Sequence, residues 1–303
     1  MAEELFVLKT NVDRLVKLSV VGDVVSPISR QVYRITAGGV PVILPGVGGI
    51  TYNVRVGDPA CGWEADHVEP GVSIENKEND PRWGLGANTA LNVLSSVGND
   101  AVVVSGEAKG SKGTVVGKHG GIEHVLVDFP PQAMEKMTIG DKVLVRSFGT
   151  GLKLLDFPDV AVMNIDPRVL DALDLVAKGD KLEVPVTHVV PAATMGSGLG
   201  ADQTHSGDYD IQMFDEKTRR EYGLGDIRLG DLVAIMDADH TFGRIYKQGA
   251  VSVGIVVHTD CVQAGHGPGV ATLFTSSKGK IAPKISAQAN VAAYLKLRMD
   301  IFP

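Results

Sequence analysis

Four Gly-Asp steps, each followed by β-forming residues, limit what this chain can fold into more than any other feature. They are Val21-Gly22-Asp23-Val24-Val25, Ile139-Gly140-Asp141-Lys142-Val143, Lys178-Gly179-Asp180-Lys181-Leu182 and Leu229-Gly230-Asp231-Leu232-Val233. Glycine supplies a permissive turn conformation and aspartate bonds to the nearby backbone. The alternating residues that follow fit half-buried strands. The steps are irregularly spaced, so they read as turn chemistry rather than a solenoid repeat. Helix signals are few. Asp166-Pro167-Arg168-Val169-Leu170 reads as an N-cap with proline at the first helical position, opening a helix that should end near Gly179. Residues 286–298 read as a C-terminal helix, residues 86–96 as a weaker one, and residues 215–222 as a short charged helix or turn. The remainder is mostly short Val- and Ile-rich runs cut by Gly and Pro. The expected fold is β-rich α+β, with packed sheets or small barrels and a few helices, one of them C-terminal.

The chain has 303 residues, room for one large or two ordinary domains. A boundary is expected near Phe157-Pro158-Asp159. It would separate an N-terminal β-rich domain, residues 1–158, from a C-terminal one, residues 159–303, with a small barrel over residues 102–147. A net charge of −7 argues against a duplex nucleic-acid binder, which shows a basic stripe. Two cysteines, Cys61 and Cys261, argue for a reducing compartment rather than a disulfide framework. The first residues are acidic where a signal peptide is basic, and no apolar run approaches the roughly 18 residues of a membrane span. A cytoplasmic protein without a membrane partner is expected. A homo-oligomer is expected on general grounds.

Chemistry concentrates between residues 205 and 266, where four of the eight histidines stand among aspartates. The pieces are His205-Ser-Gly-Asp208-Tyr-Asp210, Asp237-Ala-Asp239-His240, His258-Thr-Asp260 and His266. In a strand, residues i and i+2 share a face. Asp208 would thus point with Asp210, Asp237 with Asp239, and His258 with Asp260. The apolar runs 232–236 and 251–257 each deliver acid and histidine at their ends. Imidazole with carboxylate suits zinc first, and magnesium, manganese or calcium as alternatives. The expected metal ligands are Asp208, Asp210, Asp239, His240 and His258. Asp237 or Asp260 would take a proton from water, and His205 or His266 would polarise substrate or protonate a leaving group. Each of these residues also has a plain alternative, as a turn cap or a loop histidine.

A second constellation spans residues 57–72. Its Asp66 and His67, beside Glu64 and Glu69, could add ligands or a base, or form an acidic turn. Cys261, between His258 and His266, is a rival nucleophile or a buried apolar residue. Ser197 lacks the Gly-x-Ser-x-Gly elbow. The loop 195–201 matches neither Gly-x-Gly-x-x-Gly nor a Walker motif, so no nucleotide cofactor is expected. Residues 110–118, with Lys112 and Lys118, resemble the small β-barrel motif of ribosome-associated and transcription proteins, which would imply RNA or anion binding. The plainer reading is solvated lysines on a hairpin.

Through Gly57-Asp-Pro, Asp66-His67-Val-Glu-Pro-Gly71, Gly207-Asp208-Tyr-Asp210 and the stretch from Asp239-His240 to His258, the whole chain resembles an uncharacterised prokaryotic domain-of-unknown-function family. That resemblance supplies no function. The C-terminal half is distantly similar to the acetamidase/formamidase family. Gly207-Asp208-Tyr-Asp210 stands where that family has Gly-Asn-x-Asp, and Asp237-Ala-Asp239-His240 resembles its later Gly-Asp-x-His strand end. Asp208 departs by replacing an amide side chain. This similarity implies a metal-associated amidase of small amides. The expectation is therefore a metal-dependent hydrolase or lyase acting on a small polar molecule, with an amide C–N bond as one candidate. The alternative is a non-catalytic protein that binds a small molecule or RNA.

Overall fold

The computed structural model describes residues 8–29, 31–78, 86–199, 203–298 and 300–301. In the first half the strands are β1 (Leu18–Val24), β2 (Arg34–Ile35), β3 (Pro41–Val42), β4 (Ile50–Thr51) and β5 (Gly71–Glu75). They continue with β6 (Asp100–Val103), β7 (Lys112–His119), β8 (His124–Asp128) and β9 (Lys142–Ser147). The order β1-β9-β6-β7-β8-β5 closes on itself, because β5 also pairs antiparallel with β1 at Asp23↔Glu75 and Val24↔Ile74. The result is a six-stranded barrel. Residues 102–147 supply β7–β9 and half of β6. Closure needs β1 and β5 from far earlier in the chain, so the barrel is larger than the sequence pattern suggests.

In the second half the strands are β10 (Ala161–Val162), β11 (Val176–Lys178), β12 (Lys181–Val186), β13 (His188–Val190) and β14 (Met195–Leu199). They continue with β15 (Tyr209–Ile211), β16 (Leu232–Asp239), β17 (Ile245–Val256), β18 (Gly269–Ser276) and β19 (Ile281–Ile285). The order β13-β16-β17-β18-β15-β14, with β10 also on β18, forms a half-barrel. A small sheet β11-β12-β19 flanks it.

Three of the four Gly-Asp steps are turns, with positive φ at Gly140, Gly179 and Gly230. Asp141 and Asp231 each accept the backbone N–H three residues upstream, from Thr138 (2.9 Å) and Arg228 (2.8 Å). The fourth step differs: Gly22 and Asp23 lie inside β1. A Cβ at Gly22 would come 2.9 Å from Leu91 Cδ2. Leu91 belongs to helix α1 (Ala87–Leu94) and is buried among barrel residues Val24, Ile74, Val125 and Val143. Glycine is there for close packing, not for a turn.

The remaining helices are short. They are α2 (Pro131–Met134), α3 (Pro167–Ala172), α4 (Glu216–Glu221) and α5 (Val291–Tyr294). The Asp166 cap of α3 is present, accepting Arg168 N–H at 2.8 Å. The helix stops at Ala172 because Val176–Lys178 pairs with β12 across the Gly179 turn. The C-terminal helix is a single turn rather than residues 286–298. Asn290 pins its start, accepting Ala292 N–H and donating to Asp231 Oδ1, both at 2.8 Å, and β19 claims the chain up to Ile285.

One core fills the barrel. Another joins barrel to half-barrel: Val116 and Leu126 of the β7–β8 hairpin pack with Val253, Ile255, Val257 and Leu273. Gly117 permits that approach, since a Cβ there would collide with Val257. At this seam the open ends of β7, β15 and β17 meet. Ile74, fully buried on the closing strand, should be sensitive to truncation. Ile74→Ala is expected to cost about 2–5 kcal/mol in urea or guanidinium unfolding. A loss under about 1 kcal/mol would mean that β5 does not close the barrel.

Candidate metal site at the seam

Asp66, His67 and Glu69 lie in the loop before β5. His119 ends β7 and His124 begins β8. Asp208 immediately precedes β15, Asp210 lies within it, His258 follows β17, and His266 lies in the β17–β18 loop. Backbone bonds bring the first and last segments together. Thr259 N–H donates to Val68 O (3.0 Å) and His67 N–H to Asp260 O (3.2 Å). The hairpin is tied in by Gly120 N–H, which donates to Asp208 Oδ1 at 2.7 Å.

The imidazole rings of His67, His119, His258 and His266 form one group. Ring centroids are 4.3 Å apart for His119–His258, 5.0 Å for His67–His258 and 5.2 Å for His67–His266. His67 adopts φ 58°, a left-handed conformation that costs a non-glycine residue about 1–3 kcal/mol. Three overlapping donor sets occur among the described residues: His119/Asp208/His258, His67/Asp210/His258 and His67/Cys261/His266, each with ligating atoms within 4.8 Å of one another.

Glu69 organises the inner histidines. Its buried carboxylate accepts from His119 Nδ1 (2.6 Å), His124 Nδ1 (3.0 Å), Gly48 N–H (2.8 Å) and Ser73 Oγ (2.5 Å). A carboxylate can only accept, so both rings present protonated Nδ1 to it. His119 Nε2 is thereby left free for the cluster. A carboxylate behind a ligating imidazole is the usual support of a metal site. Burial alone would raise the Glu69 pKa. The charge of His124 and the hydrogen bonds from both rings outweigh burial and hold the carboxyl well below its usual range.

The decisive contact is between His258 and Asp208. His258 Nδ1 donates to Thr259 O at 2.9 Å. Its Nε2 stands 2.9 Å from Asp208 Oδ2 and 3.5 Å from Asp210 Oδ1. Yet neither Nε2 nor Asp208 Oδ2 has an aligned hydrogen bond, and both are buried. Two donor atoms that face each other in this way fit a shared cation. Burial disfavours a charged His258, but Asp208 and Asp210 outweigh it and raise the pKa well above the ordinary imidazole value. The two carboxylates thus favour positive charge on the His258 ring. Gly269 keeps the space open, because a Cβ there would collide with both Asp208 Oδ2 and His258 Nε2. Two imidazoles and one carboxylate suit zinc or another first-row divalent ion. The residues fit such an ion.

Other expected site residues lie elsewhere. Asp239 and His240 join none of the three donor sets. Asp239 caps a turn, accepting from Thr241 N–H at 3.0 Å. The His240 ring packs on Tyr209 (4.9 Å) and bonds Thr272 Oγ1 through Nδ1 (2.8 Å). The β-bulge between Met236 and Ala238 breaks the alternation expected of Asp237 and Asp239, and Asp237 accepts Gly249 N–H at 2.7 Å. Asp260 accepts Cys261 N–H at 2.8 Å, interacts with Cys61, and joins none of the three donor sets. The strand has already ended at Val256, so the i, i+2 rule does not carry to 258 and 260. His205 contributes its backbone carbonyl, which accepts from Lys118 Nζ at 2.8 Å. By contrast, Asp208 and Asp210 both reach His258. His266 binds Asp210 Oδ2 at 2.9 Å. Cys261 donates to Asp66 Oδ1 at 2.9 Å, and Asp66 is itself paired with Arg34.

Sequence reasoning missed His119 and His124, whose signal was the run His119-Gly-Gly-Ile-Glu-His124. It also misread Lys118. That side chain is fully buried rather than solvated, bonds Asn164 Oδ1 and His205 O, and is pushed by burial down to about 7. In the loop 195–201, residues 195–199 form β14, while Gly200 and Ala201 lie outside the described residues.

The profile described as domain of unknown function DUF4438, N-terminal, matches residues 33–171, and the DUF4438 C-terminal profile matches residues 172–295. The chain belongs to the DUF4438 family. It is also similar to the chain in the crystal structure of TM1086, at 47% identity and a TM-score of 0.89, over 95% of this chain and 99% of that one. No curated protein matches it. Among the described residues of this DUF4438 chain, no helix is long and apolar enough to cross a membrane.

His240 provides a test of its place outside the donor sets. Burial, with the Arg244 charge, pulls its pKa down to about 4. An unfolded imidazole titrates near ~6.5. The folded protein keeps His240 neutral while the unfolded chain takes up a proton. The stabilising contribution is thus complete above ~6.5 and is lost as pH falls toward about 4. His240→Gln should flatten the acid limb of stability in that interval, as read by urea melts. An unchanged slope would place His240 in a different environment.

Proposed function

We propose that this protein is a metal-dependent hydrolase of a small polar molecule, with a divalent cation held by His119, Asp208 and His258. The observation that supports this reading is the buried, misaligned approach of His258 Nε2 to Asp208 Oδ2 beside a glycine. A divalent cation there would supply a Lewis acid that polarises a carbonyl and acidifies water.

The chain's own residues define the rest. Glu69 fixes the tautomer of His119, and Thr259 O fixes that of His258. Asp210 faces both ways, with Oδ1 toward His258 and Oδ2 toward His266. His266 is the most exposed member, its side chain about one-third accessible, so substrate reaches the inner donors past His266 and His67. A carboxamide fits the reading: its carbonyl oxygen is the group a Lewis acid activates.

The test is metal content followed by turnover of a panel of small amides. Protein purified in the presence of zinc should hold it, and chelation should abolish hydrolysis until metal is restored. Asp208→Asn and His258→Ala should lose the inner ion. Glu69→Gln should keep the fold but weaken metal affinity about 10- to 100-fold. Full-length protein that takes up no divalent cation at micromolar concentration would overturn the proposal.

A further inference from the structure

The third donor set, His67/Cys261/His266, is not needed to hold one cation in the inner site. It lies on the solvent side of that site. His258 and Asp208 are buried, whereas the His67 and His266 side chains are 11% and 34% exposed. Asp210 stands between the two sets. Its Oδ1 is 3.5 Å from His258 Nε2, and its Oδ2 is 2.9 Å from His266 Nδ1 and 3.6 Å from His67 Nε2. A carboxylate with one oxygen toward each of two nitrogen-rich donor sets has the placement of a bridging ligand.

We propose that the mouth of the site binds a second divalent cation through His67, His266 and Cys261, with Asp210 between it and the inner cation. The inference rests on the inner-site reading above.

Three observations support the outer set as built. His67 Nε2 and His266 Nδ1 face each other at 3.4 Å, and both also face Asp210 Oδ2. His67 is held in its left-handed conformation by the clamp to residues 259–260, and its Nδ1 lies 3.4 Å from Asp66 Oδ1, a carboxylate placed behind the ring. Cys261 Sγ is not a free surface thiol. It donates to Asp66 Oδ1 at 2.9 Å and accepts Gln263 N–H at 3.2 Å, the kind of backbone donor that steadies a thiolate.

In the structure Cys261 donates its S–H to Asp66. Binding there breaks the S–H bond and forms the sulfur–metal bond, and the proton leaves to solvent. A thiolate with two imidazoles selects zinc or cobalt over magnesium or calcium. The substrate class is thereby narrowed. Two cations flanking one carboxylate suit a substrate whose carbonyl and attacking water are held by different ions.

The experiment uses the full chain, stripped of metal and titrated with cobalt(II). Bound metal is counted by mass spectrometry, and the sulfur-to-cobalt charge-transfer band is followed in the near ultraviolet. The wild type should bind about two equivalents and show the band. Cys261→Ser should lose the band and His266→Ala should drop to about one equivalent, while Asp208→Asn should lose an equivalent but keep the band. Far-ultraviolet circular dichroism confirms that each variant is folded. One equivalent without the band overturns the second site and leaves the inner reading standing. One equivalent with the band, unaffected by Asp208→Asn but lost in Cys261→Ser, overturns the inner reading and the paired arrangement together.

Discussion

Two carboxylates, Asp208 and Asp210, are buried beside His258 at the seam between the barrel and the half-barrel. Taking an ionised carboxylate out of water costs several kcal/mol unless it is paired. Around them the chain gathers the compensation. Three imidazoles surround Asp210, and Gly120 N–H bonds Asp208. Burial would raise the Asp210 pKa, but the adjacent His258, His266 and His67 outweigh it and hold the carboxyl well below its usual range. Charge of this density, enclosed at a junction, is the feature on which the proposed cation site rests.

The scaffold meets that demand with glycines at points of contact. Gly117 lets β7 press on Val257, and Gly269 lets β18 pass beside His258 and Asp208. Gly22 lets Leu91 enter the barrel. A side chain at any of these positions would collide with a neighbour, so the seam and the site share one packing requirement. Glu69 completes the frame. It accepts four hydrogen bonds and couples the β7–β8 hairpin to the loop carrying His67.

A second buried polar network lies close by. Lys118 bonds Asn164 and the His205 carbonyl, Asn164 bonds the carbonyls of Thr204 and Thr272, and Thr272 Oγ1 meets His240. These contacts hold the segment leading to Asp208 against the barrel. His205 and His240, which look like ligands in the sequence, serve here through a backbone carbonyl and through ring packing.

Much of the fold was legible from local rules. Turn chemistry at Gly140, Gly179 and Gly230, the Asp166 cap and the alternating apolar runs all act over a few residues, and a β-rich chain with few helices follows from them. The concentration of acid and histidine near residues 208–210 and 258–266 was legible for the same reason, since those side chains sit close together in sequence. Which of them converge was not. A bulge rotated Asp237 away from Asp239, a strand end separated His258 from Asp260, and barrel closure brought His119, His124 and Glu69 from the other half of the chain. Sequence alone determined the residue types, the turns and the strands. The tertiary structure decided the donor set, because a ligand site depends on the directions of side chains from distant strands, and those directions are set only when the two sheets pack.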